Sequence, residues 1–169
     1  SPEDYGDYFA WGETEPKDFY AWSTYKWCNG SYDTLTKYCT DSKYGTVDNK
    51  TVLDLEDDAA HVNWGGDWRM PTKAEQEELC NNCTWEWTTQ NGVNGYKVTS
   101  KINGNSIFLP AAGYCGYGGV LGQGGYGYYW SSTPNGRCIA YYLFFNSGYQ
   151  FVDYSGRLNG YSVRAVLAE

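Results

Sequence analysis

Residues 102–168 contain not one Lys, Glu or Met, although all three types occur elsewhere in the 169-residue chain. Strands disfavour Lys and Glu, and this stretch alternates glycine-rich loops with short aromatic and β-branched runs. Residues 128–132, 140–145, 149–152 and 162–166 read as β-strands, and 96–99 and 106–109 read as two more around a turn at Asn103-Gly104-Asn105. Helix signals are confined to the middle of the chain. Residues 55–62 carry acids in a first turn, as the helix dipole favours, and stop before Gly65-Gly66. Thr72-Lys73-Ala74-Glu75 is a capping box with Pro71 just outside and Leu79 on the apolar face. Two early helices followed by a strand-rich second half predict an α+β domain. Residues 1–40 are aromatic and turn-rich without periodicity, which predicts short strands and ordered loops pinned by buried rings.

The core such a chain can build is one of rings: it has 8 Trp, 18 Tyr and 6 Phe, but 1 Met, set among 21 Gly. The length fits one domain, residues 1–169, that needs neither disulfide nor metal to be stable. A formal charge of −8, with 12 Lys+Arg, argues against nucleic acid and anionic membrane surfaces as partners, since both need a basic face. No stretch is apolar over the ~18 residues that a membrane span requires. The chain opens on Ser1-Pro2 without a signal peptide, from which an upstream segment is expected to have been removed.

Cys28, Cys39, Cys80, Cys83, Cys115 and Cys138 give an even count, read as two disulfides or several buried thiols. The single Cys80-x-x-Cys83 ends a helix rather than opening one after a strand, and a zinc set would have His61 as its one histidine, so no metal is expected. Beside Asp57 and Asp58 on its helix, His61 is a surface residue before it is a triad base. Asp57/Asp58 and Glu77/Glu78 sit where exposed helix faces are normally acidic, so neither makes a hydrolytic carboxylate pair. Residues 116–127 are glycine-rich, but no lysine follows and no helix opens there, which removes a phosphate cradle.

Five phrases in order carry a family likeness: Asp7-Tyr8-Phe9-Ala10-Trp11-Gly12-Glu13, Trp68-Arg69-Met70-Pro71-Thr72, Phe108-Leu109-Pro110-Ala111-Ala112-Gly113, Tyr129-Trp130-Ser131-Ser132-Thr133 and Ser162-Val163-Arg164-Ala165-Val166. Over nearly its whole length the chain resembles the major paralogous domain family of gut bacterial surface proteins. That family is in turn similar to the formylglycine-generating-enzyme branch of the C-type lectin-like fold. The resemblance implies two short helices flanking a small twisted antiparallel sheet with long ordered loops, and a strand upstream of residue 1 that is missing here. It also implies kinship with the variable proteins of diversity-generating retroelements. In those, adenine-directed mutagenesis of Asn codons never yields Lys, Glu, Met, Gln or Trp; residues 102–168 lack the first three, leaving Gln123, Trp130 and Gln150 as fixed positions.

The function expected on these grounds is non-enzymatic binding of a protein or glycan ligand on another cell or surface. The setting would be extracellular, on a bacterial surface or a phage particle, with no cofactor and no membrane insertion. A structural or assembly domain is the alternative, and an oxidase of the formylglycine-generating type a further one; for the latter Cys115 and Cys138 lie far apart in sequence. Calcium-dependent sugar binding is not expected, because Thr133-Pro134-Asn135 lacks the acid that calcium requires. The expected ligand face comprises Cys115, Tyr117, Tyr126, Arg137, Cys138, Tyr149, Phe151, Asp153, Tyr154, Leu158 and Tyr161. Tyr among Gly, Ser and Asn is the composition of antibody paratopes, where a rigid ring gives large contact area at little entropic cost. Gly113, Trp130, Ser131, Asn146, Gly160 and Arg164 are expected to frame that face.

Overall fold

The computed structural model describes residues 1–167. Up to Asp58 the chain forms loops with three short 3-10 turns, Trp22–Thr24, Ser42–Tyr44 and Leu55–Asp57. There follow α1 (Ala59–Trp64), β1 (Trp68–Arg69), α2 (Lys73–Asn82), β2 (Cys83–Gln90), β3 (Val93–Ser100), β4 (Ser106–Pro110), β5 (Tyr114–Gly116), β6 (Gly119–Leu121), β7 (Gly127–Asn135), β8 (Ile139–Phe145), β9 (Gln150–Gly156) and β10 (Val166–Leu167). These strands form four small sheets, β1-β10, β2-β3-β4, β5-β6 and β7-β8-β9, with antiparallel neighbours throughout. Among the described residues no helix is long and apolar enough to cross a membrane.

This corrects the expected fold class. The chain is predominantly strand, and it does not show the α+β, C-type lectin-like arrangement of two helices flanking one sheet. Residues 55–62 do not make one helix. Asp58 breaks the run in an extended conformation: its carboxylate accepts the His61 backbone N–H at 3.0 Å as the cap of α1, and the Met70 N–H at 2.9 Å. The neighbouring acids are spent elsewhere, with Lys37 Nζ 2.7 Å from Asp57, 3.0 Å from Asp54 and 3.4 Å from Glu56. The acidic string therefore serves capping and ion pairing, which leaves α2 as the one helix of substance. Residues 162–166 likewise form no strand before β10; Ser162 only bridges Tyr129.

Strand alternation gives the β7-β8-β9 sheet two faces. Tyr129, Leu143 and Phe145 point inward onto Tyr96, Val98 and Leu109 of the β2-β3-β4 sheet. Phe145 lies 5.2 Å from Tyr96 edge to face, and Tyr96 meets Trp85 and Trp87 at 5.1 Å each, so aromatic edges lock the two sheets together. Gly127 is required opposite them, because a Cβ there would lie 2.1 Å from the Phe145 ring.

The loops of residues 1–58 have no ladder to hold them and are fixed by ring donors. Trp11 Nε1–H donates to the Ser131 carbonyl at 2.8 Å and Trp130 Nε1–H to the Phe9 carbonyl at 2.8 Å; the Tyr25 hydroxyl donates to the Trp11 carbonyl at 2.6 Å. Arg157 joins the same region to the sheet. It is buried, donates to the carbonyls of Ile139, Tyr38 and Asn135, and sits 4.8 Å from the centre of the Trp11 ring. Replacing it with Met leaves those carbonyls unpaired inside the protein, and Arg157→Met is expected to lower stability by about 3–5 kcal/mol in denaturant titration.

A pH dependence also follows. Thr72 caps α2 in a capping box with Glu75, whose carboxylate takes both guanidinium nitrogens of Arg69 at 2.6 and 2.9 Å. That pair holds the Glu75 carboxyl down to about 2. A depressed acid contributes stability above its unfolded value, and the contribution is lost as pH falls toward the folded one. Glu75→Gln is therefore expected to flatten the loss of stability between about pH 4.5 and pH 2 in acid titrations, and to change little of that slope above it.

Candidate functional site

The outward face of the β7-β8-β9 sheet carries Tyr128 and Trp130, then Ala140, Tyr142 and Phe144, then Phe151, Asp153 and Ser155. One end is roofed: Tyr161 lies over it at 4.4 Å from Trp130 and 4.9 Å from Tyr142, and its hydroxyl accepts from Ser155 Oγ at 2.9 Å. Burial pushes the Tyr161 phenol up to about 12. The other end is open. Tyr128 connects the two, 5.0 Å from Tyr161 and 5.3 Å from Phe144, and the rings continue through Phe151 at 5.2 Å to Tyr149, stacked on Phe151 at 5.5 Å. Tyr126 closes the array 6.0 Å from Phe144. Tyr126, Tyr149 and Phe151 are 44%, 53% and 39% exposed, so the array runs from core to solvent without a break.

The turns that present these rings are rigid. Asn146 Oδ1 accepts the backbone N–H groups of Gly148 and Tyr149, and its carbonyl accepts the Tyr96 hydroxyl at 2.6 Å, which fixes the turn carrying Tyr149 to the core. Tyr126 ends a turn on the Gly122 carbonyl, and its own carbonyl accepts from the Gly113 N–H at 2.8 Å. Gly113 has φ +66° and a Cβ there would meet the Leu121 carbonyl oxygen at 2.1 Å, so this position takes glycine alone. Trp130, Ser131 and Gly160 are buried, and Arg164 donates to the Phe108 carbonyl at 3.2 Å.

The eleven residues expected on one face divide. Tyr126, Tyr149, Phe151 and Asp153 share the open face just described. Tyr161 is a correction: at 4% exposure it supports the array from below. So is Cys115, 7% exposed, which packs with Tyr20, Tyr25 and Cys28, its backbone paired to Gly160. Both lie inward because backbone pairing of Cys115 to Gly160 and of Tyr161 to Phe9 turns them into the core rather than onto an exposed loop. Tyr154 also departs, since it pairs with Tyr141 on the opposite face of β9. Tyr117 is exposed and meets Phe19 at 4.5 Å. Arg137, exposed with φ +67°, and half-buried Cys138 form the β7–β8 turn, and half-buried Leu158 follows β9. Phe144 and Tyr128, central to the array, were missed as site residues; their signal was the alternation within residues 140–145, which places Phe144 beside Tyr142 rather than Phe145.

All six cysteines are free thiols. Burial pushes the Cys115 and Cys138 thiols up, which keeps them protonated and weakly nucleophilic. Asp54, Glu56 and Asp57 come together as metal-binding sets do, but the Lys37 ammonium already occupies their centre.

Residues 71–166 match the family described as a domain of unknown function (DUF8237), and the chain belongs to that family. The matched span begins just before α2 and contains the whole aromatic face. Neither the curated proteins nor the solved structures provide a match.

Because the exposed rings are additions to a core that is complete beneath them, the double variant Tyr149→Ala/Phe151→Ala is expected to change stability by no more than about 1 kcal/mol in denaturant titration. Asn146→Ala, which removes two turn hydrogen bonds, is expected to cost about 1–2 kcal/mol in the same measurement.

Proposed function

We propose that the chain is a non-enzymatic binding module, and that the open end of the β7-β8-β9 face is where it meets a protein or glycan displayed on another surface. One observation carries this reading: Tyr126, Phe144, Tyr149 and Phe151 form a continuous ring array that reaches solvent on rigid turns. Exposed contiguous apolar surface is costly unless something covers it, and Tyr-rich rigid surfaces are the usual hot spots of interfaces. Asp153, on the same face and without an ion pair among the described residues, adds a polar handle. The raised thiols of Cys115 and Cys138 weigh against oxidase chemistry at those positions.

The same reading extends the resemblance to gut bacterial surface proteins and to retroelement-diversified variable proteins, with an extracellular, cell-surface or phage setting. Diversification is supported by the absence of Lys, Glu and Met from residues 102–168. It is tested by sequencing the adjacent DNA for a near-copy of the segment encoding the aromatic face.

Binding is tested by applying the chain to arrays of immobilised glycans and of bacterial and host surface proteins. Captured partners are expected to lose about 30-fold in affinity with Tyr149→Ala/Phe151→Ala, the usual weight of a hot-spot ring. Unchanged binding in that folded variant assigns the rings to assembly or to packing and overturns the proposal.

A further inference from the structure

A second cleft lies on the other side of β9, between that strand and α2, with a volume of about 380 Å³. Small-ligand pockets begin at roughly 300 Å³, and what this one would hold is decided by its walls. Tyr154 stands at 90° to Tyr141, ring centres 6.1 Å apart, and is half exposed. Lys73 covers Tyr141, its ammonium 4.5 Å from the ring centre, and is itself balanced by Glu77 at 3.3 Å. Cys80 and Asn81 from α2 and the run from Gln150 to Asp153 of β9 complete the lining.

Two properties narrow the ligand. The amides of Asn81 and Gln150 and the phenol hydroxyls of Tyr141 and Tyr154 make no hydrogen bond to other described residues, so the cleft offers both donors and acceptors that no protein group uses. Its charges leave one carboxylate over: the Lys73 ammonium is balanced by Glu77 on the next turn of the helix, while the Asp153 carboxylate accepts the Tyr154 backbone N–H at 2.8 Å and has no ion pair among the described residues. An apolar ligand would strand the amides, an anion would meet the Asp153 carboxylate, and a bare cation would leave the amide N–H groups unused. A pyranose ring meets both conditions: its C–H face stacks on an aromatic ring while its rim hydroxyls both donate and accept.

We propose that the α2–β9 cleft binds a neutral sugar, with Tyr154 as the stacking platform and Asn81 and Gln150 reading the hydroxyls. This does not depend on the ring array: Phe151 and Asp153 border both recesses, but the Tyr154 platform alternates to the opposite side of β9, and Tyr149 is not part of the cleft.

The test is saturation-transfer NMR on the folded chain with methyl glucoside, methyl mannoside, methyl galactoside and methyl N-acetylglucosaminide, each at about 10 mM, where millimolar affinity registers. At least one is expected to receive transfer, strongest at its ring C–H protons. Tyr154→Ala is expected to weaken it by at least about tenfold, while Tyr154→Phe keeps the platform and most of the affinity. Tyr149→Ala, on the other face, is expected to leave it unchanged. Transfer to none of the four overturns the proposal, as does transfer indifferent to Tyr154→Ala or lost equally in Tyr149→Ala.

Discussion

Arg157 carries a guanidinium into the interior, 1% exposed, and among the described residues no carboxylate meets it there. Burial pulls its pKa down, yet a guanidinium stays charged, so the charge has to be solvated by the protein itself. Three carbonyls do this, one from the N-terminal loops at Tyr38 and two, Asn135 and Ile139, from either end of the β7–β8 turn; the Trp11 ring fills a further side. The Arg157 backbone adds two more links, its N–H to Cys138 and its carbonyl to Trp11 N–H. Removing this charge would leave the carbonyls that solvate it unpaired in the interior, and while present it tolerates few alternative geometries. The loops of residues 1–58 need such a constraint. Without strands of their own they could pack rings in many ways, and the guanidinium fork, together with the indole donors of Trp11 and Trp130, admits one.

From that constraint the two surfaces of the β7-β8-β9 sheet acquire different mechanics. The inward face, Tyr129, Leu143 and Phe145, is a dry aromatic contact with the β2-β3-β4 sheet, and fully burying a side chain of that size contributes roughly 1.5–3 kcal/mol each. The outward face is tied down only at its Tyr161 end, beneath the loops that Arg157 fixes. Backbone position at Phe144, Phe151 and Tyr149 is therefore set by residues on the other side of the sheet and in the turns, such as Phe145 and Asn146. Side chains at the open end are free of packing duty while their backbone is not free to move. A recognition surface whose side chains can change without unfolding the chain needs this separation.

What could be read from the sequence followed how local the cause was. The strands at residues 96–99, 106–109, 140–145 and 149–152 announce themselves by alternation and flanking turns, and they appear as parts of β3, β4, β8 and β9. The capping box of α2 is equally local. The failures have non-local causes. Asp57 and Asp58 looked like the first turn of a helix, and nothing nearby in sequence announces that Lys37 and the Met70 N–H would claim their carboxylates. β2 begins at Cys83, directly at the end of α2 with no turn between them to mark its start; its Trp85 and Trp87 make sense only once Tyr96 lies opposite. Half of the aromatic face was legible by composition. The inward turn of Cys115 and Tyr161 was not, because it is decided by pairing to Gly160 and Phe9 across the molecule.

Strand β9 is where these considerations meet. As an edge of its sheet it bonds to β8 on one side only, and a ring on each of its faces, Phe151 and Tyr154, reaches solvent. Alternation then gives one short segment two chemistries: Phe151 and Asp153 toward the ring array, Gln150 and Tyr154 toward α2. An exposed edge invites pairing with another chain unless something discourages it. Here α2 lies against the strand, and Asp153 sets a charge midway along it, so the edge is guarded by the same residues that line the two recesses. A slip of one residue in the β8–β9 register would exchange the two sets, burying Asp153 against the helix and lifting Tyr154 into the array. The Asn146 turn prevents that slip by holding Gly148 and Tyr149 to one side-chain oxygen, so the register that closes the hairpin also assigns each chemistry to its side.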